Sequence, residues 1–252
     1  ELLTRHALEV PTNNIGAYDL SFSCSMAEDL ARWDPTAALP VAKILVKRAC
    51  TVMKYSGQSF GPAVAKLSLA CAREGDPSAF DDYAGWIFTT TPDALGYSLP
   101  ECLEPFLKYP TNAVLTAAAL KLFADTNSAW AHLPWKENFN FNPLNSELVK
   151  IPAFRVLLVR ELERTNVCGK ISWHEPNQIS YAMTNYQSGS YGAMAFPAGS
   201  TPTNGATSEL RWCDWIAFQL ANGTATPFFN PFAPLAERNE AIEKDTARLQ
   251  SR

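Results

Sequence analysis

Apolar side chains recur at three- and four-residue spacing through much of this chain, and proline or glycine bounds each run. After Asp34-Pro35, the apolar or small positions are Leu39, Ala42, Val46, Ala49, Cys50 and Met53. This spacing turns one helix face toward a core. Because Asp caps free N–H groups and Pro lacks a donor, the Asp-Pro pair fits a helix start. The pattern predicts a mainly α-helical fold.

Further helices are predicted on both sides of that one. A second helix stops at Gly75, and Asp76-Pro77 opens another at once. Breaks at Thr91-Pro92 and Tyr109-Pro110 separate the helices that follow, as expected where proline removes a backbone donor. The predicted helices span residues 25–33, 35–53, 62–74, 80–88, 99–107, 112–124, 152–164, 208–221 and 235–250.

Three segments depart from the helical pattern. Residues 170–184 contain two short alternating runs joined by Glu175-Pro176-Asn177, which predicts a small β-hairpin insertion. Residues 187–208 are rich in Gly, Ser, Thr and Pro, and we expect a flexible loop there. Residues 126–150 are aromatic and rich in Asn without a period, which predicts a long ordered loop.

The two Asp-Pro openings are 42 residues apart, inside the range of about 40–47 residues for HEAT and armadillo units. The segments Asp34-Pro35-Thr36-Ala37-Ala38-Leu39 and Gly75-Asp76-Pro77-Ser78-Ala79-Phe80 resemble the recurring Asp-Pro and small-residue helix of uncharacterised bacterial HEAT-like repeat proteins. The likeness covers roughly residues 20–125. It implies a HEAT-like solenoid of helical hairpins.

The C-terminal part is similar to the terminal helix pair of some of these HEAT-like proteins. The likeness rests on Arg211-Trp212-Cys213-Asp214, Pro227-Phe228-Phe229 and Glu237-Arg238-Asn239-Glu240-Ala241-Ile242. It implies helices that cap the last hydrophobic face of a solenoid, and it implies no activity. We therefore expect one repeat domain over 1–252, with helical hairpins at 20–125, the aromatic loop at 126–150, a helix, hairpin and flexible loop at 151–207, and capping helices at 208–252.

The composition and net charge of the chain indicate which partners, cofactors and location to expect. The 21 Lys and Arg residues against 25 Asp and Glu give a net charge of -4, so we expect no nucleic-acid partner. No apolar stretch reaches the ~20 residues of a membrane span. The six cysteines contain no CxxC pair, and we expect neither metal nor cofactor. Buried, reduced cysteines favour a cytoplasmic location, with a disulfide in an exported protein as the alternative.

The chain contains no phosphate-binding loop, no HExxH motif and no GxSxG motif. It begins without Met, as expected for a processed chain or an excised domain. We predict a non-catalytic protein-interaction or structural scaffold that binds a protein or peptide. The candidate binding residues are aromatic and imidazole side chains of the loop and the hairpin: Trp130, His132, Trp135, Phe139, Phe141, Trp173 and His174.

Two alternatives stay open. An enzyme could use a pocket between the helical body and the hairpin, since a nucleophile needs a nearby base. Its reactive groups would be His174, Glu175 and Cys168. A nucleic-acid-binding helical repeat would need a continuous positive groove, for which the basic run is Lys43, Lys47, Arg48 and Lys54.

Overall fold

A computed structural model describes residues 14–52, 57–95, 98–131, 147–174, 178–184, 188–191, 196, 201–223 and 229–251. The chain divides into two compact units, unit 1 over Glu1–Phe141 and unit 2 over Asn142–Arg252, where the sequence predicts one domain. The described residues are mainly helical, with a small antiparallel sheet in unit 2, which confirms the mainly α-helical part of the prediction. Most of the predicted aromatic loop, residues 132–146, lies outside the described residues.

The described part of unit 1 consists of helices and turns. The helices are α1 Asn14–Trp33, α2 Pro35–Val52, α3 Gly57–Arg73, α4 Ala79–Ile87, α5 Pro92–Leu95, α6 Leu99–Cys102, α7 Glu104–Lys108 and α8 Ala113–Ala119, the last continuing as the π-helical turn Leu120–Ala124. The predicted helices of this half are confirmed, although α1 begins before residue 25. The predicted helix 99–107 is divided at Leu103, because Pro105 has no N–H with which to continue the helical hydrogen bonds.

The aspartates of the two Asp-Pro pairs stabilise the helix starts through different contacts. Asp34 caps α2 by accepting a 3.1 Å hydrogen bond from the Ala37 N–H. Asp76 accepts hydrogen bonds from the Ser78 N–H and hydroxyl, and its carboxylate also binds the Lys43 ammonium of α2. The bonds from Lys43 and Ser78 lower the pKa of Asp76 to about 2. The second opening therefore ties the start of α4 to α2.

Gly75 ends α3 in a left-handed conformation, with φ of +89°. The Asp76 N–H donates to the Cys71 carbonyl at 2.9 Å, and the Gly75 N–H donates to the Ala72 carbonyl at 3.1 Å. These two bonds form a Schellman motif, which satisfies carbonyls at the helix end. A residue with a Cβ is strained at this φ, which explains the glycine.

The helices of unit 1 pack in two rows. Helix α3 contacts α1, α6 and α7, while α4 contacts α2 and α8. Contacts also join the rows, between α1 and α2, between α2 and α3, and between α7 and α8. The first four helices thus alternate between the rows, whereas α5, α6 and α7 all contact α3.

A chain of aromatic side chains fills the core of unit 1. Tyr83 contacts Trp86 and Phe106 at centroid distances of 5.7 Å, and Phe106 contacts Phe123 at 6.4 Å. Phe123 then meets the edge of Trp130 at 6.1 Å. All five rings are buried. Such contacts stabilise each pair by about 0.5–1.5 kcal/mol beyond the area they bury.

The described part of unit 2 combines three helices with an antiparallel sheet. Its elements are the 3₁₀ turn Glu147–Lys150, α9 Pro152–Leu162, β1 Val167–His174, β2 Gln178–Met183, β3 Ser188–Tyr191, β4 Thr207–Arg211, α10 Trp212–Gly223 and α11 Leu235–Gln250. The strand order is β3-β2-β1-β4. The predicted hairpin is confirmed: β1 and β2 pair with Trp173 opposite Ile179. The three helices contact one another.

Two parts of the prediction for unit 2 are wrong. The expected flexible loop at 187–208 includes β3 and the start of β4, and the expected helix at 208–221 begins only at Trp212, after β4. Strand pairing uses backbone N–H and C=O groups that every residue except proline supplies in full. The polar, small residues of β3 and β4 can therefore join a sheet without the alternating apolar pattern.

The predicted absence of a membrane span is consistent with the helices that the structure describes. None of them is both long and apolar enough to cross a bilayer.

Gly61 permits the close approach of α3 to α6. A Cβ at this position would lie 2.3 Å from the Cys102 Sγ and 3.3 Å from Trp86. We expect Gly61→Ala to lower the free energy of unfolding by about 1–3 kcal/mol through overpacking. Urea unfolding measures this loss, and Gly61→Ala/Cys102→Ala should recover part of it.

Gly85 provides the matched control, because an added Cβ there meets no heavy atom within 4 Å. Gly85→Ala should raise stability by about 0.5–1 kcal/mol, the preference for Ala over Gly inside a helix. Equal effects of the two substitutions would contradict the close packing at Gly61.

Candidate functional site

Trp130, the first residue of the predicted binding set, belongs to the core of unit 1. Its ring is buried, its indole N–H donates to the Thr90 carbonyl at 3.1 Å, and Phe123 packs against it. Truncating such a residue costs about 3–5 kcal/mol of stability. Trp130 therefore supports the fold and does not present a binding surface.

The two hairpin residues of the predicted binding set, Trp173 and His174, differ in burial. Trp173 is buried in β1, and its ring makes an edge contact with Phe196 at 4.9 Å. His174 is exposed, and its Nε2 lies 2.7 Å from the Ser180 Oγ on the neighbouring strand. The other predicted residues lie outside the described residues: His132, Trp135, Phe139, Phe141 and, for the enzyme alternative, Glu175.

Cys168 and His174 do not form a catalytic pair. They stand six residues apart on β1, which separates them by about 20 Å at the usual rise of a strand. The Cys168 thiol donates to the Leu210 carbonyl at 3.2 Å. Burial raises the pKa of Cys168 to about 12, so the thiol stays protonated. A protonated thiol is a poor nucleophile.

The hydrogen bond between His174 and Ser180 has the length found in a base–nucleophile pair. The pair nevertheless lies on the exposed side of the sheet. Acyl transfer also requires donors that stabilise an oxyanion and a site that limits water. Neither of the two grooves described below includes His174 or Ser180 in its lining. Chemistry at this pair is not supported by its surroundings.

Within unit 1, a groove of about 370 Å³ crosses the row formed by α1, α3 and α7. We call it the basic groove. Its lining comprises Arg32, Lys66, Leu69, Ala70, Arg73, Glu104, Lys108 and Tyr109. Four of these side chains are cationic and one is anionic, while Leu69, Ala70 and Tyr109 supply apolar surface. The groove can therefore accept a ligand that carries both negative charge and apolar groups.

Each cation of the basic groove has a carboxylate neighbour. Lys108 lies 2.7 Å from Glu104, Lys66 lies 3.4 Å from Glu101, and Arg73 lies 3.5 Å from the adjacent Glu74. Arg32 similarly lies 3.3 Å from Asp29. Exposed ion pairs of this kind stabilise a fold by at most about 1 kcal/mol, so a ligand carboxylate can compete with them.

A second groove, of about 390 Å³, lies in unit 2 between α9 and α11. Pro152, Val156, Val159 and Leu249 give it an apolar lining, and Arg155 lies at its side. The Arg155 guanidinium donates to the backbone carbonyl of Val149 at 3.2 Å. This groove thus presents little polar chemistry to a ligand.

The strongest charge cluster of unit 2 is buried and serves the fold. Asp214, at the first turn of α10, is fully buried and binds Arg211 through two parallel hydrogen bonds of 2.7 and 2.9 Å. Arg238 of α11 binds the same carboxylate at 2.7 Å and also donates to the Glu209 carbonyl of β4. The cluster joins β4, α10 and α11.

A second buried carboxylate lies on α9. Glu161 accepts hydrogen bonds from the Trp212 indole and from Arg164, the latter at 2.6 Å. The Arg164 guanidinium lies over the Trp212 ring, 4.7 Å from its centroid. These contacts fix the start of α10 against α9. No group of His, Cys, Asp and Glu able to hold a metal occurs in the part of the chain that the structure describes.

The buried Asp214 cluster yields a direct test of its structural role. Asp214→Asn keeps the shape but leaves two guanidinium groups without a counter-charge. We expect a loss of about 3–5 kcal/mol in the free energy of unfolding. Urea unfolding measures it. Glu240→Gln, which removes an exposed partner of Lys244, should leave stability nearly unchanged. Similar losses in both variants would contradict the assignment.

The state of Cys168 can be tested by alkylation. Because its pKa is about 12, we expect iodoacetamide at pH 8 to modify Cys168 at least about a hundredfold more slowly in the native protein than in urea. Peptide mass spectrometry reports the rate at each cysteine. Native alkylation as fast as that in urea would restore Cys168 as a candidate nucleophile.

Of the two grooves, the basic groove offers a ligand more charged side chains. Its cations lie on three different helices that packing brings together. Comparison with known proteins finds no family model, no curated protein and no solved structure that matches this chain.

Proposed function

We propose that unit 1 is a degenerate HEAT-like repeat and a non-catalytic scaffold, which holds a protein or peptide partner in the basic groove. The observation that carries the proposal is the groove itself, since it gathers exposed side chains from α1, α3 and α7. Stacked helical pairs characteristically offer extended surfaces to protein partners.

The order of helix contacts supports the repeat proposal. In a stack of helical pairs, each helix packs against its counterpart in the next pair. Helices α2 and α4, which follow the two Asp-Pro openings, are in contact, and α4 contacts α8. Helices α3, α6 and α7 similarly provide neighbouring members of the other row. Such a fold is only an analogy for function, so the binding role depends on the groove.

Affinity capture tests the scaffold proposal. The intact chain would be compared with Lys66→Ala/Arg73→Ala in the groove and with Lys47→Ala/Arg48→Ala on α2, which lies in the other row. We expect a partner captured from native cell extract to be lost with the groove variant only. These changes avoid Trp130, whose truncation would confound binding with folding.

Other outcomes would count against binding in the groove. Equal recovery of every partner by all three proteins, or the absence of any specific partner, would contradict a scaffold role for the groove. Loss only with Lys47→Ala/Arg48→Ala would instead assign binding to the basic run of α2. Circular dichroism would establish that both variants remain folded.

A further inference from the structure

We infer that the basic groove binds an acidic peptide segment in which carboxylates alternate with aliphatic side chains. The inference rests on the proposed scaffold function and specifies the chemistry of its partner. It follows from three properties of the groove, namely its cations, the carboxylates beside them and its apolar floor.

The lining of the groove carries an excess of positive charge. Arg32, Lys66, Arg73 and Lys108 face it, against the single carboxylate of Glu104. The carboxylates that neighbour the other three cations lie outside the lining. A ligand inside the groove therefore meets more positive than negative groups. This excess is local, because the whole chain has a net charge of -4.

The existing ion pairs leave room for a second carboxylate. A lysine ammonium carries three N–H donors, and a carboxylate contact needs only one of them. Lys66 and Lys108 can therefore keep their pairs with Glu101 and Glu104 while donating to a ligand. The side chains of both lysines are also well exposed, so the ligand need not displace a packed residue.

The interleaved carboxylates favour a peptide over a nucleic acid. A nucleic-acid backbone presents closely spaced phosphates and is bound by continuous positive surfaces. Glu104 in the lining and Glu101 beside Lys66 interrupt such a surface and would repel a phosphate chain. A peptide can instead place neutral residues opposite these carboxylates, because its acidic residues need not be consecutive.

The floor of the groove accounts for the aliphatic part of the ligand. Leu69 and Ala70 lie between the charged positions Lys66 and Arg73 on the same face of α3. Tyr109 lines the groove as well, and its ring packs on Phe80 at 5.2 Å. An apolar surface beside charged side chains matches a segment that alternates aliphatic and acidic side chains. Burial of aliphatic groups adds a contribution that salt does not screen.

Fluorescence anisotropy on the full chain tests the inference. The probes are a fluorescein-labelled peptide of repeated Glu-Glu-Leu, its Gln-Gln-Leu counterpart and a labelled mixed-sequence single-stranded DNA. We expect binding of the acidic peptide only, weakened by added salt. Lys66→Glu/Lys108→Glu should weaken that binding at least about tenfold, while Lys150→Glu/Lys170→Glu, an equal charge change in unit 2, should alter it less than about twofold.

Several outcomes would overturn the inference. They are no binding of the acidic peptide, equal binding of the Gln-Gln-Leu peptide, tighter binding of the DNA, and equal losses in the two charge-reversal variants. If Lys66→Glu/Lys108→Glu fails to fold, Lys66→Gln/Lys108→Gln replaces it, and unchanged affinity then also overturns the inference. Groove-dependent capture of a partner together with failure of the acidic peptide would reject this ligand chemistry alone and leave the scaffold function standing.

Discussion

The packing of helix α3 determines the arrangement of unit 1. It contacts α1, α2, α4, α5, α6 and α7, and its residues Val64, Leu67 and Cys71 are fully buried. Among the described side chains of α3, the partly accessible ones include Lys66, Leu69, Ala70 and Arg73, which recur at helical spacing. The same contacts that bury one face of α3 therefore bring these side chains beside the ends of α1 and α7. The basic groove is a consequence of this packing.

In unit 2, buried charged side chains hold the described elements in their arrangement. Asp214 and Glu161 are both fully buried, and each is bound by side chains from other elements. Burying a carboxylate is unfavourable unless opposite charges and hydrogen bonds compensate. Arg211, Arg238 and Arg164 provide that compensation, and their positions fix β4, α9, α10 and α11 relative to one another.

The sequence predicts the helices well because helical periodicity and caps are local: Asp34, Gly75 and Asn112 mark boundaries that the structure retains. It predicts β3 poorly because Ser188–Tyr191 lacks an alternating apolar pattern, and β4 poorly because this strand pairs with β1, which lies far back in the chain. The basic groove was not predicted from the sequence because it, too, depends on tertiary contacts. Lys66 and Lys108 look like ordinary exposed residues until α3 and α7 are packed, whereas Trp130 looks like a binding residue although tertiary contacts bury it. The spacing of Lys66, Leu69, Ala70 and Arg73 is the one signal that could have indicated the groove.

The pairing of β4 with β1 also has a kinetic consequence. Lys170 of β1 lies opposite Glu209 of β4, so the chain between them must form a long loop before the two strands can pair. The loop-closure entropy is lost before contacts between the two strands, such as the hydrogen bond of Cys168 with Leu210, can compensate for it. The helices of unit 1, by contrast, make most contacts with near neighbours in sequence. During refolding, helical signals should therefore develop before the β1–β4 ladder becomes protected from amide hydrogen exchange.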